Sequence, residues 1–137
     1  MENYFEPNMT LLEVNQISAL GLAHCGDAVF ELLVRSWLCC HGGVKPGELH
    51  KATVSYVSAP AQAARCEKLL PLLTEQELAW FKRGRNTQVH GVPKNASRGQ
   101  YSKATGLEVL FGALYLTGQR DRANELFVLT MEDHHAL

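Results

Sequence analysis

The sequence lacks any apolar run long enough to cross a bilayer, which takes about 20 residues. Its most apolar stretch, residues 28–40, is interrupted by Glu31 and Arg35 and therefore predicts a helix in a protein core. Residues 1–16 hold three acids and no Lys or Arg, whereas a secretory leader begins with positive charge. We therefore expect a cytoplasmic protein that does not contact a membrane.

The sequence also has few cysteines, and their spacing fits neither a zinc site nor a disulfide framework. Cys25, Cys39, Cys40 and Cys66 form no C-x-x-C pair, and two of them are adjacent in the chain. This usage favours a reduced compartment, with Cys25 as a small core residue.

Signals for β-strands are missing as well. No segment alternates apolar and polar residues, and no Asn-Gly or Asp-Gly turn occurs. Apolar residues recur at helical spacing, and Thr10 with Glu13 and Thr74 with Glu77 have capping-box spacing. We predict an all-α, single-domain protein with a short first helix that opens at Thr10, further helices over about 17–40, 49–57, 60–70, 74–83, 101–116 and 120–131, a polar loop at 86–97, and Gly118 as a C-cap.

Acidic residues are absent from residues 78–107, although the chain as a whole has a net charge of −1. This window carries +6, from Lys82, Arg83, Arg85, Lys94, Arg98 and Lys103. Such a local excess of positive charge is typical of a nucleic-acid-binding surface. The alternative is a basic face that is simply solvated.

Two acids stand isolated within apolar helical segments, each near a glycine. Between Glu77 and Asp121 the only acid is Glu108, and Asp27 lies in a segment nearly as poor in acids. A buried, unpaired carboxylate costs several kcal/mol, and a helical glycine costs about 1 kcal/mol relative to alanine. We interpret Gly26 and Gly112 as the means by which two helix backbones approach, so that Asp27 and Glu108 share a metal ion.

Glu31 follows Asp27 by four residues and lies on the same helical face. Two or three carboxylates with oxygen-only ligation match Mg²⁺, with Mn²⁺ as a substitute. A magnesium site next to a basic surface suggests phosphodiester hydrolysis. The alternative for Glu31 is an ion pair with Arg35 along its own helix.

Several segments resemble the ribonuclease III family in its short form, Mini-ribonuclease III, which consists of the catalytic domain alone. The matching segments are residues 24–32 (HCGDAVFEL), 49–51 (LHK), 56–59 (YVSA) with Gln62, 83–86 (RGRN), 92–96 (VPKNA) and 105–118 (TGLEVLFGALYLTG). They occur in the family's order and cover about residues 15–130.

The resemblance implies an all-helical ribonuclease III endonuclease fold, a compact helical bundle acting as a homodimer. It implies Mg²⁺-dependent cleavage of double-stranded RNA, with Asp27 and Glu108 as catalytic metal ligands and Glu31 as a candidate helper. The family's task is to mature the ends of the 23S ribosomal RNA precursor, often on substrate associated with ribosomal proteins. We expect the dimer interface around residues 20–30.

Two positions depart from full-length ribonuclease III. That form has a glutamate four residues before the first aspartate, where this chain has Ala23, and an aspartate three residues before the final glutamate, where it has Thr105. Mini-type proteins resemble this chain at both positions. The departures put a full two-metal site in doubt.

The chain ends at Leu137 without the family's usual double-stranded-RNA-binding domain, so we expect the catalytic domain itself to hold the duplex. Its expected phosphate contacts are Arg83, Arg85, Lys94 and Lys103, with Lys51 and Gln62 as weaker candidates. The alternative for residues 83–86 is a helix end in which Arg85 forms an internal salt bridge. Two other functions stay open: a non-catalytic RNA-binding or ribosome-assembly module, and a purely structural helical partner.

Overall fold

The computed structural model of the chain describes residues 2–87 and 96–131, and these form helices and no strands. The predicted all-α class is therefore confirmed. The α-helices are α1 (Leu11–Asn15), α2 (Ala19–His41), α3 (Leu49–Val57), α4 (Ala59–Leu69), α5 (Glu75–Arg85), α6 (Arg98–Leu116) and α7 (Arg120–Thr130), with short 3₁₀ turns at Pro46–Glu48 and Leu70–Leu72. Over the described ranges, no helix is both long and apolar enough to span a membrane.

Local sequence signals set most helix ends. Both predicted capping boxes are present, at Thr10 for α1 and Thr74 for α5. Gly42 and Gly43 have φ values of 65° and 84° after α2, a backbone conformation that side chains disfavour. Gly118 has φ 77° one residue beyond Thr117, which caps α6.

Helix α6 begins earlier than expected, at Arg98 instead of residue 101. Ser97 accepts a hydrogen bond from the backbone N–H of Gln100, and the Gln100 side chain accepts one from the backbone N–H of Ser97. This is a capping box with glutamine at its third position. The prediction placed the start too late because Gly99 lies within the first turn.

Helix α6 is the central element and packs against α2, α4, α5 and α7. From Ala104 to Leu114 every residue is buried except Glu108, which is half-buried. Aromatic side chains fill the space beside it: the Phe30 ring meets those of Phe111 and Phe127 edge-on, at centroid distances of 5.4 and 5.8 Å. Glu108 therefore sits at a solvent-reaching gap in a helix that is otherwise core.

Helices α5 and α7 are joined by an ion pair between partly buried Arg122 and buried Glu77. Arg122 Nε lies 2.8 Å from Glu77 Oε2, and its Nη2 donates to the carbonyl of Leu72. Burial alone would raise the pKa of Glu77, but the hydrogen bonds from Arg122 and Thr74 outweigh it and lower that pKa. The ion pair thus fixes the outer helices on the core.

The close packing of α2 on α6 gives a stability prediction for Gly26→Ala. A Cβ at position 26 would lie 1.6 Å from the carbonyl oxygen of Glu108, so the helices must separate. We expect the free energy of unfolding, measured by urea denaturation, to fall by about 3 kcal/mol or more. Gly99→Ala is the control, because Ser97 Oγ, 4.0 Å away, is the nearest atom to its new Cβ. Equal effects of the two changes would contradict the tight contact.

Candidate metal-binding and catalytic site

The two backbones of α2 and α6 touch where Gly26 faces Gly112. A Cβ on Gly112 would lie 2.2 Å from the carbonyl oxygen of Leu22 and 3.0 Å from the nitrogen of Gly26. Since neither position has room for a side chain, both glycines are required by the contact. The expectation that these glycines bring two helix backbones together is confirmed.

This contact places the carboxyl groups of Asp27 and Glu108 side by side. Asp27 is exposed and Glu108 half-buried. Burial, followed by a hydrogen bond with Asp27 and the charge of Asp27, raises the pKa of Glu108 to about 8. The pair therefore holds a proton at neutral pH when no cation is present.

No basic side chain in the described part of the chain neutralises this pair. The salt bridges of these residues involve other acids, among them Glu31, Glu67 and Glu77. Two adjacent carboxylates, one of them open to solvent, are the oxygen donors that Mg²⁺ and Mn²⁺ prefer. The donor set therefore fits a divalent cation, which binds carboxylates in their deprotonated form.

Glu31 is not drawn into this pair. Its Oε2 lies 3.2 Å from Nη2 of Arg35, four residues along α2, which is the alternative that the sequence left open. Among the residues described, no group of three or more His, Cys, Asp or Glu side chains lies close enough to hold a metal ion. Among the three acids, only Asp27 and Glu108 meet, and Glu31 lies one turn along α2 from Asp27.

The two departures from the longer enzymes are both buried. Ala23 is 8% exposed and Thr105 4% exposed. The Thr105 hydroxyl donates to the carbonyl of Tyr101 at 2.9 Å, so it is engaged within its own helix. Neither position presents an oxygen to the Asp27–Glu108 pair.

The predicted RNA-binding residues divide into exposed and engaged groups. Arg85 and Lys51 are exposed, and Arg85 donates to Asn86 Oδ1 at 3.3 Å. Arg85 forms no salt bridge with any residue that the structure describes. The alternative in which Arg85 forms an internal salt bridge is therefore not supported. Lys103 Nζ lies 2.6 Å from Glu67 Oε1 at the surface. Lys94 lies outside the described residues.

Gln62 and Arg83 point inward instead. Gln62 is 2% exposed, and its Nε2 donates to the carbonyl of Val57 at 3.0 Å. Arg83 is partly buried and donates through Nη2 to the carbonyl of Ile17, just before α2. Sequence reasoning missed both bonds. In each, the accepting carbonyl lies outside the helix that carries the donor, and helical spacing relates only residues of the same helix.

A second pair of glycines, also missed, joins α5 to α6. A Cβ on Gly84 would lie 2.8 Å from both the Cα of Gly106 and the carbonyl oxygen of Thr105. The signal was present, since both glycines stand inside predicted helical segments or at their ends. Gly106 lies two residues before Glu108, so the isolated acid points to Gly106 as well as to Gly112.

An apolar groove of about 520 Å³ runs along α2 and over the start of α7, where Arg120 and Ala123 line it. Phe5 and Tyr115 border it, and α2 lines it with His24, Cys25, Ala28, Val29, Leu32 and Leu33. Cys25 thus lies at a partly exposed surface, whereas the fully buried thiol is that of Cys66, whose pKa burial raises to about 12. Leu20 and Leu32 on the same helix are 49% and 59% exposed.

The raised pKa of Glu108 predicts that Glu108→Gln stabilises the metal-free protein at high pH. Between about pH 4.5 and 8 the folded chain keeps a proton on Glu108 that the unfolded chain releases, so stability falls as pH rises. Glutamine stays neutral and avoids a loss on the order of a few kcal/mol. We expect urea denaturation in EDTA to show a gain near pH 8.5 and little difference near pH 5.

Glu31→Gln serves as the control for this measurement, because the Glu31 carboxylate lies beside Arg35 instead of another acid. It should give no gain that grows with pH. A Glu108→Gln variant with the same stability difference at every pH would show that Glu108 is ionised in the folded protein.

Comparison with known proteins places this geometry in a family. The Ribonuclease III domain family matches residues 20–119. Mini-ribonuclease 3 of Symbiobacterium thermophilum is 44% identical over 118 residues, covering 86% of this chain and 91% of that protein. Mini-ribonuclease 3 of Enterococcus faecalis is 43% identical over 116 residues, covering 83% of this chain and 88% of that protein.

The fold has a solved counterpart as well. A crystal structure of a protein from Fusobacterium nucleatum superposes with a TM-score of 0.81 at 26% identity, covering 89% of this chain and 98% of that one. The helical architecture and the sequence matches agree, and the matched residues include both Asp27 and Glu108. The chain belongs to the ribonuclease III family, among the Mini-ribonuclease 3 proteins, and is an endoribonuclease of the type that acts on double-stranded RNA.

Proposed function

We propose that the chain is a Mg²⁺-dependent endoribonuclease in which Asp27 and Glu108 hold the metal ion, with Mn²⁺ as a substitute. The observation that carries the proposal is the contact between these two carboxyl groups, without a basic partner among the described residues. Such an arrangement destabilises the metal-free protein unless a cation offsets it. A fold that keeps the pair in spite of this cost supports a role in function.

The two acids have different tasks in this proposal. Asp27, the exposed member, faces the side from which a phosphodiester approaches, and half-buried Glu108 anchors the ion against α6. A bound Mg²⁺ supplies positive charge that orients an attacking water and stabilises the leaving oxygen. Glu108 gives up its proton when the ion binds, so metal affinity rises with pH up to about 8.

The duplex is held through its phosphates, because A-form RNA is recognised mainly by backbone shape, phosphates and 2′-hydroxyls. Arg85 and Lys51 have exposed side chains for this contact. Lys103 joins them by exchanging its surface partner Glu67 for a phosphate. Lys94, in the same basic window, completes the proposed set, while Gln62 is left out because it is buried.

Two cuts across a duplex need two centres, which a two-fold symmetric homodimer provides. The apolar groove on α2 supports this proposal, since exposed Leu32 lines it and Leu20 is exposed on the same helix. A second copy of the chain would cover these side chains on both subunits.

The proposed substrate is the terminal stem of the 23S ribosomal RNA precursor, in the cytoplasm, with a ribosomal protein shaping the RNA. Support comes from the similarity to bacterial Mini-ribonuclease 3 proteins over most of their length. It also comes from the basic window, which offers phosphate contacts within the catalytic domain.

Asp27→Asn tests the metal site directly. It removes one ligand charge while keeping the shape of the side chain, so we expect cleavage of an rRNA terminal stem in Mg²⁺ to fall by more than about 100-fold, since even outer-shell partners of a metal cost 10–100-fold. Gel assays of single-turnover cleavage, with Mg²⁺ and with EDTA, give the rates. Asp121→Asn makes the same chemical change at an exposed acid on α7 and should cleave normally. Equal rates for both variants would exclude Asp27 as a ligand, and wild-type binding without cleavage would favour a non-catalytic RNA-binding module.

Arg85→Met tests the RNA surface. Loss of one phosphate contact should weaken duplex binding and reduce the slope of log K against log salt concentration by about 1. Binding is measured in Ca²⁺ or EDTA to prevent cutting. Lys45→Met, in the loop after α2, removes an equal charge outside the proposed surface and should leave the slope unchanged. An unchanged slope for Arg85→Met would remove Arg85 from the interface.

A further inference from the structure

Helix α5 is tied to the segment that leads into α2 by two side-chain hydrogen bonds. Trp80 Nε1 donates to Asn15 Oδ1 at 2.9 Å, and Arg83 Nη2 donates to the carbonyl of Ile17. Ser18, the next residue, is the N-cap of α2. These bonds therefore act at the first turn of the helix that carries Asp27.

The closest backbone contacts near Asp27 and Glu108 are made by glycines. Gly26 and Gly112 join α2 to α6, and Gly84 and Gly106 join α5 to α6. These contacts involve no hydrogen bond between the helices, and the packing beside them is apolar, as where the Phe30 ring of α2 meets that of Phe111 on α6. A hydrogen bond at the start of α2 adds a directional constraint to this packing.

The Arg83–Ile17 bond has the position to do this. Its acceptor, Ile17, precedes the N-cap Ser18, which lies about 12 Å along the helix axis from Gly26 at 1.5 Å per residue. The bond joins α5 to α2, while both of these helices are joined to α6 by glycines. The three contacts therefore join α2, α5 and α6 in pairs, and α6 is the helix of Glu108.

The surroundings of Arg83 do not favour a phosphate-binding role. Its side chain is partly buried and its Nη2 is used by a backbone carbonyl, whereas Arg85, two residues on, is exposed. The positive end of the α2 dipole also disfavours a cation at this place. The carbonyl bond is therefore the interaction that accounts for an arginine here.

We propose that Arg83 is a positioning residue, which fixes α2 against α5 and so sets Asp27 in register with Glu108. This inference rests on the proposed metal site, and it removes Arg83 from the phosphate contacts expected from the sequence. A displacement of about 1 Å at a catalytic group can cost about 100-fold in rate. The loss of Arg83 should therefore act on metal binding and on the cleavage step, with little effect on duplex affinity.

Arg83→Met tests the proposal, since methionine keeps an apolar stem and removes both the donors and the charge. We expect the cleavage rate at saturating RNA to fall about 10-fold or more, with KM changed by less than about 3-fold. The Mg²⁺ concentration that gives half of the Mg²⁺-induced rise in Tm should increase. The salt slope of duplex binding should match that of the wild type.

Lys45→Met is the control, because it removes an exposed positive charge outside the basic window of residues 78–107. Its saturating rate and its Mg²⁺ midpoint should equal those of the wild type. A salt slope lowered by about 1 in Arg83→Met, with an unchanged saturating rate, would overturn the proposal and make Arg83 a phosphate ligand.

Arg83→Lys covers the case in which Arg83→Met does not fold. It keeps the charge but offers one compact ammonium in place of the guanidinium, so a positioning role predicts a saturating rate between those of wild type and Asp27→Asn. A wild-type rate and Mg²⁺ midpoint in Arg83→Lys would overturn that role. If the wild type itself does not cleave duplex RNA, the proposed function fails, while the Mg²⁺ midpoint and the salt slope still test Arg83.

Discussion

The backbone contact between α2 and α6 at Gly26 and Gly112 determines how the carboxyl groups of Asp27 and Glu108 meet. A Cβ at position 26 would overlap the carbonyl oxygen of Glu108. Gly26, which permits the contact, therefore touches the backbone of Glu108 itself. The packing of α2 on α6 and the meeting of the two acids therefore depend on the same contact. The aromatic cluster around Phe30 and the buried length of α6 hold the two helices at this separation.

The adjacent acids lower the stability of the protein at the place where the proposed function requires them. The adjacent acids raise the pKa of Glu108 and destabilise the metal-free protein at neutral pH. Interactions elsewhere compensate: the buried apolar face of α6, and the Glu77–Arg122 ion pair that holds α5 to α7. A cation at the site would relieve the repulsion, so binding and folding are thermodynamically coupled here.

The sequence predicted the all-helical class, both capping boxes and the close approach of α2 and α6, because each depends on a local pattern or on an isolated acid beside a glycine. It did not predict hydrogen bonds from a side chain to a carbonyl outside its own helix. Gln62 and Arg83 were therefore expected at the RNA surface, although Val57 and Ile17 accept their hydrogen bonds. The start of α6 was missed because a glycine near a helix terminus obscures the cap.

The burial of Thr105 bears on how sites with two acids and with four acids are related in evolution. Its hydroxyl is bonded to Tyr101, and its carbonyl lies against Gly84 at the contact of α5 with α6. An aspartate introduced at position 105 alone would add a buried negative charge beside two acids that already repel each other. The glutamate that accompanies it in the longer enzymes would still be missing at position 23. We expect each single step to be less fit than either end state, so that a short enzyme of this kind is separated from its longer relatives by epistasis between positions 23 and 105.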